Sequence, residues 1–242
     1  MKNARTAMPA STFERPLVTV DVVIFTVQDE TLKVLLVRRP SDPLDPFPGG
    51  WALPGGFVDL KKDRSLQDCA VRKLKDKTGV STPYLEQLGS WGDAKRDPRG
   101  WSATHAYFAL IQAPESAPTG SKAQPVASQW IPVDEAKQMK LAFDHTQILA
   151  AAVVRLRGKV EYTSLPAFLL AEPFTLPKLQ RTYEVVLGRA MDKSAFRKRM
   201  LDANFLEEAG ATDGVQGRVA MAYRIKDRTQ AVTFPRMFRS GE

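Results

Sequence analysis

Two apolar, β-branched runs, Val18 to Thr26 and Leu32 to Val37, flank the polar triplet Gln28-Asp29-Glu30. This pattern predicts two strands and a turn. Residues 40–50 hold four prolines and two glycines, a loop long enough to border a site. Trp51 to Val58 predicts a third strand. Ser65 then stands at a helix-cap position. Leu66, Cys69, Ala70, Leu74 and Thr78 recur near one helical face, and Gly79 supplies a left-handed stop. Leu85 to Gly92, the alternating run from Trp101 to Leu110, and Ala127 to Val133 predict further strands. Arg96-Asp97-Pro98-Arg99-Gly100 is turn chemistry before the second of these, and residues 113–125 read as a Pro/Ser/Gly/Lys loop. Leu141-Ala142-Phe143-Asp144-His145 opens an apolar helix to about Arg157, with Asp144 as its cap and His145 as a structural residue.

The pattern changes after residue 158. Residues 159–173 are apolar with Pro166 and Pro173, and their hydrophobicity predicts packing between domains. Thr175 caps a helix with Pro177 in its first turn, and Gly188 stops it after Leu187. Asp192 caps a second helix, Lys193 to Ala203, with apolar positions Phe196, Met200 and Leu201. Its other face carries Lys193, Arg197, Lys198 and Arg199. A glycine-rich tip, Gly210 to Arg218, lies between Phe205-Leu206 and the strand Val219 to Ile225. Helix, turn, basic helix and Gly/Arg hairpin is the layout of a winged helix-turn-helix. The competing reading is a basic helical hairpin packed on the first domain. The division is an N-terminal arm 1–16, a domain 17–158, a connector 159–173 and a domain 174–242. Candidate DNA contacts are Thr175, Lys178, Lys193, Ser194, Arg197, Lys198, Arg199, Gln216 and Arg218, the last two on the wing.

Charge sharpens this picture. The 242-residue chain carries net charge +8. Residues 175–239 hold thirteen Lys/Arg against seven Asp/Glu, so most of the excess sits in the last quarter and points to an anionic partner there. Cysteine and histidine subtract options. The single Cys69 cannot form an internal disulfide, and two distant histidines give no zinc pattern. No run approaches the ~18 apolar residues of a membrane helix, and the N-terminus lacks a secretory core. The expectation is a soluble cytoplasmic protein.

Candidate chemistry concentrates in Gly55 to Val80, GGFVDLKKDRSLQDCAVRKLKDKTGV. This stretch resembles the signature of the Nudix hydrolases, in which clustered glutamates on the helix hold Mg²⁺ against a diphosphate. Arg72, Leu74, Gly79 and Val80 match when the motif is aligned from its end. Gly55-Gly56 matches its opening, with two extra residues in the loop. The glutamate positions hold Lys73, Asp76 and Lys77, and Arg64 stands where the isolated upstream glutamate belongs. Lysine brings positive charge where the metal would bring it, so the motif predicts a Nudix fold without the usual cation site or hydrolysis. Lys73 and Lys77 stack at i, i+4 beside the inward face. They either snorkel out or meet a diphosphate directly.

Together the two halves resemble the Nudix-related transcriptional regulators of NAD metabolism, the NrtR family. The stretches that carry the resemblance are LKVLLVRR, WALPGGFVD, VRKLKDKTGV, RDPRGW, LAFDH, EPFTLPKLQ, FRKRML and QGRVAMAYRI. It implies a fold class of α/β type, a Nudix α/β/α sandwich followed by an α+β winged helix-turn-helix domain. It further implies a homodimeric repressor of NAD-biosynthesis genes on a palindromic duplex operator, with ADP-ribose as effector and no cofactor or metal. The effector site is expected among Arg39, Gly55, Gly56, Phe57, Lys73, Lys77, Arg96, Arg99 and Trp101. The rival is a divergent Nudix hydrolase of ADP-ribose or a related dinucleotide, with Asp59, Asp63, Asp68 or Asp76 rebuilding a metal site. A nucleotide-binding module whose basic end contacts RNA is a third reading.

Overall fold

The computed structural model describes residues 15–79, 84–113, 128–213 and 219–238. Most of the N-terminal arm, Val80 at the end of the motif, nearly all of the 113–125 loop, and the wing-tip residues Gln216 and Arg218 lie outside the described residues.

β1 (Leu17–Gln28) and β2 (Thr31–Arg38) form an antiparallel hairpin with Gln28 opposite Thr31. Asp29 and Glu30 both have positive φ, 51° and 53°, as a two-residue hairpin turn matched to strand twist requires. The expected strand from Trp51 to Val58 is two short ones. β3 (Trp51–Ala52) pairs with β2, and β4 (Gly55–Phe57) pairs with β1. Pro54 has no amide hydrogen to continue a ladder, so the chain changes partner there. Its carbonyl instead accepts the Val22 amide at 2.8 Å.

α1 (Leu66–Thr78) begins and ends where the sequence predicts. Ser65 accepts the Asp68 amide, and Gly79 closes it with φ 70°. β5 (Tyr84–Asp93) and β6 (Ser102–Leu110) pair antiparallel, and β6 runs parallel to β1 over nine residues. β7 (Ser128–Pro132) pairs with β2 and is followed by the short α2 (Val133–Ala136). α3 (His145–Val160) runs three residues past the expected end. Strand order through the main sheet is β3-β2-β1-β6-β5.

Both faces of this sheet are covered, which explains why β1 reads as a continuous apolar run. Val20, Val22 and Ile24 pack with Cys69, Ala70 and Leu74 of α1. Val23 and Phe25 face the other way, toward Ile148, Leu149, Ala152 and Leu156 of α3. The result is an α/β/α sandwich.

The second core is continuous with that second layer. The apolar stretch after α3 forms a 3₁₀ turn, Leu165–Leu169, every residue of which is buried. β8 (Phe174–Thr175) leads into α4 (Leu176–Leu187), capped by Thr175 and stopped by Gly188 at φ 73°. α5 (Lys193–Asp202) starts at Asp192, whose carboxylate accepts the Ala195 amide. β9 (Leu206–Asp213) and β10 (Val219–Ile225) pair antiparallel, and β8 adds to the outer edge of β10. This is a winged helix-turn-helix. Phe196 and Met200 are its buried α5 positions; Leu201, expected inside, is 42 % exposed. Residues 231–238 return across the domain. Phe234 and Phe238 join Tyr183, Phe196 and Phe205 in an aromatic cluster.

Candidate ligand cleft and nucleic-acid interface

A cleft of about 280 Å³ opens between the 39–57 segment, the 96–99 turn and the residues before α3. Arg39, Gly55, Gly56, Phe57, Lys77, Arg96 and Arg99 line it. Lys73 reaches the same wall, its Nζ lying 2.9 Å from where a Cβ on Gly56 would be. Trp101 does not line the cleft. It is about half exposed, beside Gly92 on β5.

The geometry divides these cations into two classes. Each of Arg39, Arg96 and Arg99 brings its own carboxylate. Arg39 forms a fork with Asp45, both contacts at 2.7 Å. Arg99 forms one with Asp97 and lies 5.1 Å over the Phe57 ring. Arg96 is buried; it grips Asp144 at 2.9 and 2.8 Å and touches Ser102. Arg96 is therefore first a structural tie across 48 residues of chain. Asp144 does not cap α3 with its side chain, because that carboxylate is committed to Arg96.

Lys73 and Lys77 come from α1, the helix of the Nudix-like motif, four residues apart on one face. Burial pushes the Lys77 ammonium below its ordinary value and the neighbouring charge of Lys73 lowers it further, against an upward pull from Asp76. An anion between the two ammonium groups would relieve both effects. Arg38, not anticipated from the sequence, also lines the cleft and lies over Trp51.

Under the cleft is a buried polar floor. Asp21 accepts from Thr104 Oγ1 at 2.7 Å, with His145 Nε2 at 3.5 Å and Arg96 at 3.8 Å. His145 Nδ1 accepts the Leu53 amide at 2.9 Å, which leaves Nε2 to carry the proton toward Asp21. Burial alone would raise the Asp21 carboxyl, but His145, Thr104 and Arg96 outweigh it and hold it low. His145 is thus structural, as expected.

The carboxylates proposed for a rebuilt metal site are spent elsewhere. The Asp63 side chain is covered, and it holds the motif arginine, Arg72, through both oxygens while accepting the Asp59 amide. Those bonds keep its carboxyl far below the usual range. Asp68 accepts the Arg64 amide, and Asp59 pairs with Lys62. Asp76 points to solvent, 3.9 Å from Arg72. Among the described residues no three His, Cys, Asp or Glu side chains are placed to share a metal ion.

On the second domain, Lys178, Lys193, Ser194, Arg197 and Lys198 are exposed. Lys198 is paired to Asp202 at 2.8 Å. Thr175 is engaged as the α4 cap, its hydroxyl accepting the Lys178 amide. Arg199 departs from expectation. Its guanidinium donates to the carbonyls of Arg236 (3.0 Å) and Met237 (3.1 Å) and lies 4.0 Å over Phe238, turned into the protein.

Comparison with known proteins identifies both domains. A family model described as the NUDIX domain matches residues 16–152, and one described as the NrtR DNA-binding winged helix domain matches residues 166–225. The chain is 44% identical, over 94% of its length and 89% of the relative's, to the ADPR responsive transcriptional repressor NtrR of Acinetobacter baylyi. The chain belongs to the NrtR family. It superposes with a TM-score of 0.83 on Shewanella oneidensis NrtR complexed with a 27mer DNA, at 43% identity, covering 92% of this chain and 99% of that one. The Nudix domain of the same Shewanella protein, complexed with ADP ribose, matches at 44% identity with a TM-score of 0.55, covering 62% of this chain and 94% of that one.

Within this NrtR-family chain the glycine pair has a testable consequence. A Cβ on Gly55 would lie 1.9 Å from Asp21 Oδ1 and 2.8 Å from the Val20 carbonyl. Gly55→Ala should therefore destabilise by about 1–3 kcal/mol through overpacking of the floor. Gly158, on α3 with open space around it, should behave oppositely. Gly158→Ala is expected to stabilise by about 1 kcal/mol on helix propensity alone. Thermal unfolding of the two variants checks both signs.

Proposed function

We propose that this protein is an ADP-ribose-responsive transcriptional repressor of NAD-biosynthesis or salvage genes. It acts in the cytoplasm as a homodimer on a palindromic duplex operator. The Nudix domain is the sensor and performs no hydrolysis. ADP-ribose enters the cleft with its diphosphate at Gly55-Gly56 between Lys73, Lys77 and the Arg39 and Arg99 forks, and operator DNA is released.

The observation that carries this reading is the pair of lysines. They stand at metal-ligand positions of the motif and reach the cleft wall, in a chain whose other domain exposes a basic helix. The Acinetobacter relative's name and the Shewanella complexes with DNA and ADP ribose support it. The hydrolase alternative would draw on Asp59, Asp63, Asp68 or Asp76; Asp63 already neutralises Arg72, and among the described residues no three such side chains are placed to share a metal ion.

The deciding experiment is fluorescence anisotropy of the protein on its own promoter DNA, titrated with ADP-ribose at fixed salt. Release of specific DNA is the expected result. Specific DNA binding that ignores ADP-ribose would keep the regulator and reject the effector. Magnesium-dependent release of AMP would reject the sensor reading.

The exposed α5 residues separate by role. Arg197→Ala is expected to cost about 1–3 kcal/mol and relax sequence preference, as a base-reading residue does. Lys193→Ala is expected to weaken all sequences alike and reduce the logarithmic salt slope by about one. Affinity on operator and scrambled duplexes across a salt series distinguishes them.

A further inference from the structure

One helix belongs to both sites. The first turn of α3 is built into the cleft: Asp144 holds Arg96, and His145 holds the Leu53 amide while facing Asp21. Phe143, immediately before, has φ 55°, a left-handed backbone that bulky residues rarely adopt. Its ring sits on the cleft wall, 4.6 Å from the Phe47 ring, with the Arg39 guanidinium 4.8 Å above it.

About 24 Å away, at the other end of its sixteen residues, α3 holds the helix-turn-helix. Arg157 Nε donates to the Val186 carbonyl in the last turn of α4 at 3.0 Å. Glu161, just past the helix, takes Arg189 from the α4–α5 turn at 2.8 and 3.0 Å. The Glu161 and Tyr162 carbonyls accept the amides of Phe238 and Phe234. That C-terminal segment is in turn held by Arg199 of α5. Arg155, an exposed residue on the same helix, reaches the sensor domain instead, donating to Glu86 and the Leu88 carbonyl on β5.

We propose that α3 is the rod that carries cleft occupancy to the DNA-reading helix. This rests on the ADP-ribose reading above. A diphosphate competing with Asp45 for Arg39 disturbs the guanidinium above Phe143, and the strained backbone at 143 yields. Packed along one face on the sheet and tied at its far end to α4, α3 shifts as a rigid body, and Arg157 and Glu161 take α4 and the C-terminal segment with it.

The test measures the coupling factor, the ratio of promoter-DNA affinity without and with saturating ADP-ribose, in the full chain. ADP-ribose affinity is measured separately by calorimetry. Arg157→Met and Glu161→Gln are expected to change either affinity alone by no more than about threefold and to reduce the coupling factor by about tenfold. Arg155→Met is expected to leave the coupling intact. If Arg157→Met does not fold, Arg157→Lys is read in the same way, since it keeps the charge and lacks the Nε donor. Undiminished coupling in both far-end variants would overturn the proposal while the repressor reading stands. An equal loss in Arg155→Met would also overturn it. A wild-type protein whose specific DNA affinity ignores ADP-ribose would reject ADP-ribose as the effector, and the rod with it, while the DNA-binding regulator stands.

Discussion

Replacing Lys73 and Lys77 by alanine together is expected to abolish the ADP-ribose response while leaving operator binding intact. In the proposed complex each ammonium would make a charge-assisted bond to phosphate, worth about 2 kcal/mol, or roughly thirtyfold in affinity. The double variant should therefore lose on the order of a thousandfold if the two losses add. Neither lysine packs in the helix-turn-helix, so the variant should still hold DNA and become an unresponsive repressor. Calorimetry with ADP-ribose and anisotropy on promoter DNA separate the two effects. Unchanged ADP-ribose affinity in the double variant would show that the lysines only border the cleft and reach solvent.

The same argument fixes two conditions. Binding should need no divalent metal, because the ammonium groups provide the positive charge; affinity in EDTA and in excess Mg²⁺ should agree. The pH dependence has a definite sign. Burial and Lys73 lower the Lys77 ammonium from 10.5 in the empty cleft, and a bound diphosphate raises it again. Binding then takes up a proton once the pH exceeds the depressed value. Affinity should be constant on the acid side of that value and fall as pH rises through it toward the ordinary lysine range. The diphosphate is fully ionised throughout this window, so its own titration does not contribute.

Elements defined by local signals were legible in the sequence. Ser65 and Gly79 bracket α1, and Thr175, Gly188 and Asp192 bracket the helices of the second domain, because caps act within a few residues of where they are read. The inward lean of Lys73 and Lys77 was legible too, since a helical period fixes it. What depends on distant pairing was not. Asp21 reads as one polar residue in an apolar strand; its importance comes from Thr104, His145 and Arg96, supplied by three other segments. Asp144 has the position of a helix cap, and only the fold brings Arg96 close enough to take its carboxylate. The partner change at Pro54 had a local signal, a proline inside a strand pattern. The docking of residues 231–238 had none beyond Phe238, whose partners lie on α4 and α5, and Phe234, which meets Phe205 just before β9.

Arg199 is where the fold adds most to composition, and its replacement carries the second large effect. On a basic helix it reads as one more phosphate contact. In the fold it ties the C-terminal segment to α5 through two carbonyls and the face of Phe238. Two bonds from a charged donor and a partly desolvated cation–π contact together amount to about 3 kcal/mol. Arg199→Ala should therefore lower the unfolding temperature by several degrees, about 2–4 °C per kcal/mol in a chain of this size. It should also weaken operator binding through loss of a defined α5 position. The salt dependence discriminates. A lost phosphate contact would reduce the logarithmic slope by about one, whereas a lost clamp leaves the slope unchanged among molecules that remain folded. Arg199→Lys keeps the charge but not the fork, so it should rescue a phosphate contact and fail to rescue the clamp. Full stability in Arg199→Ala with a shallower salt slope would return Arg199 to the DNA-binding face.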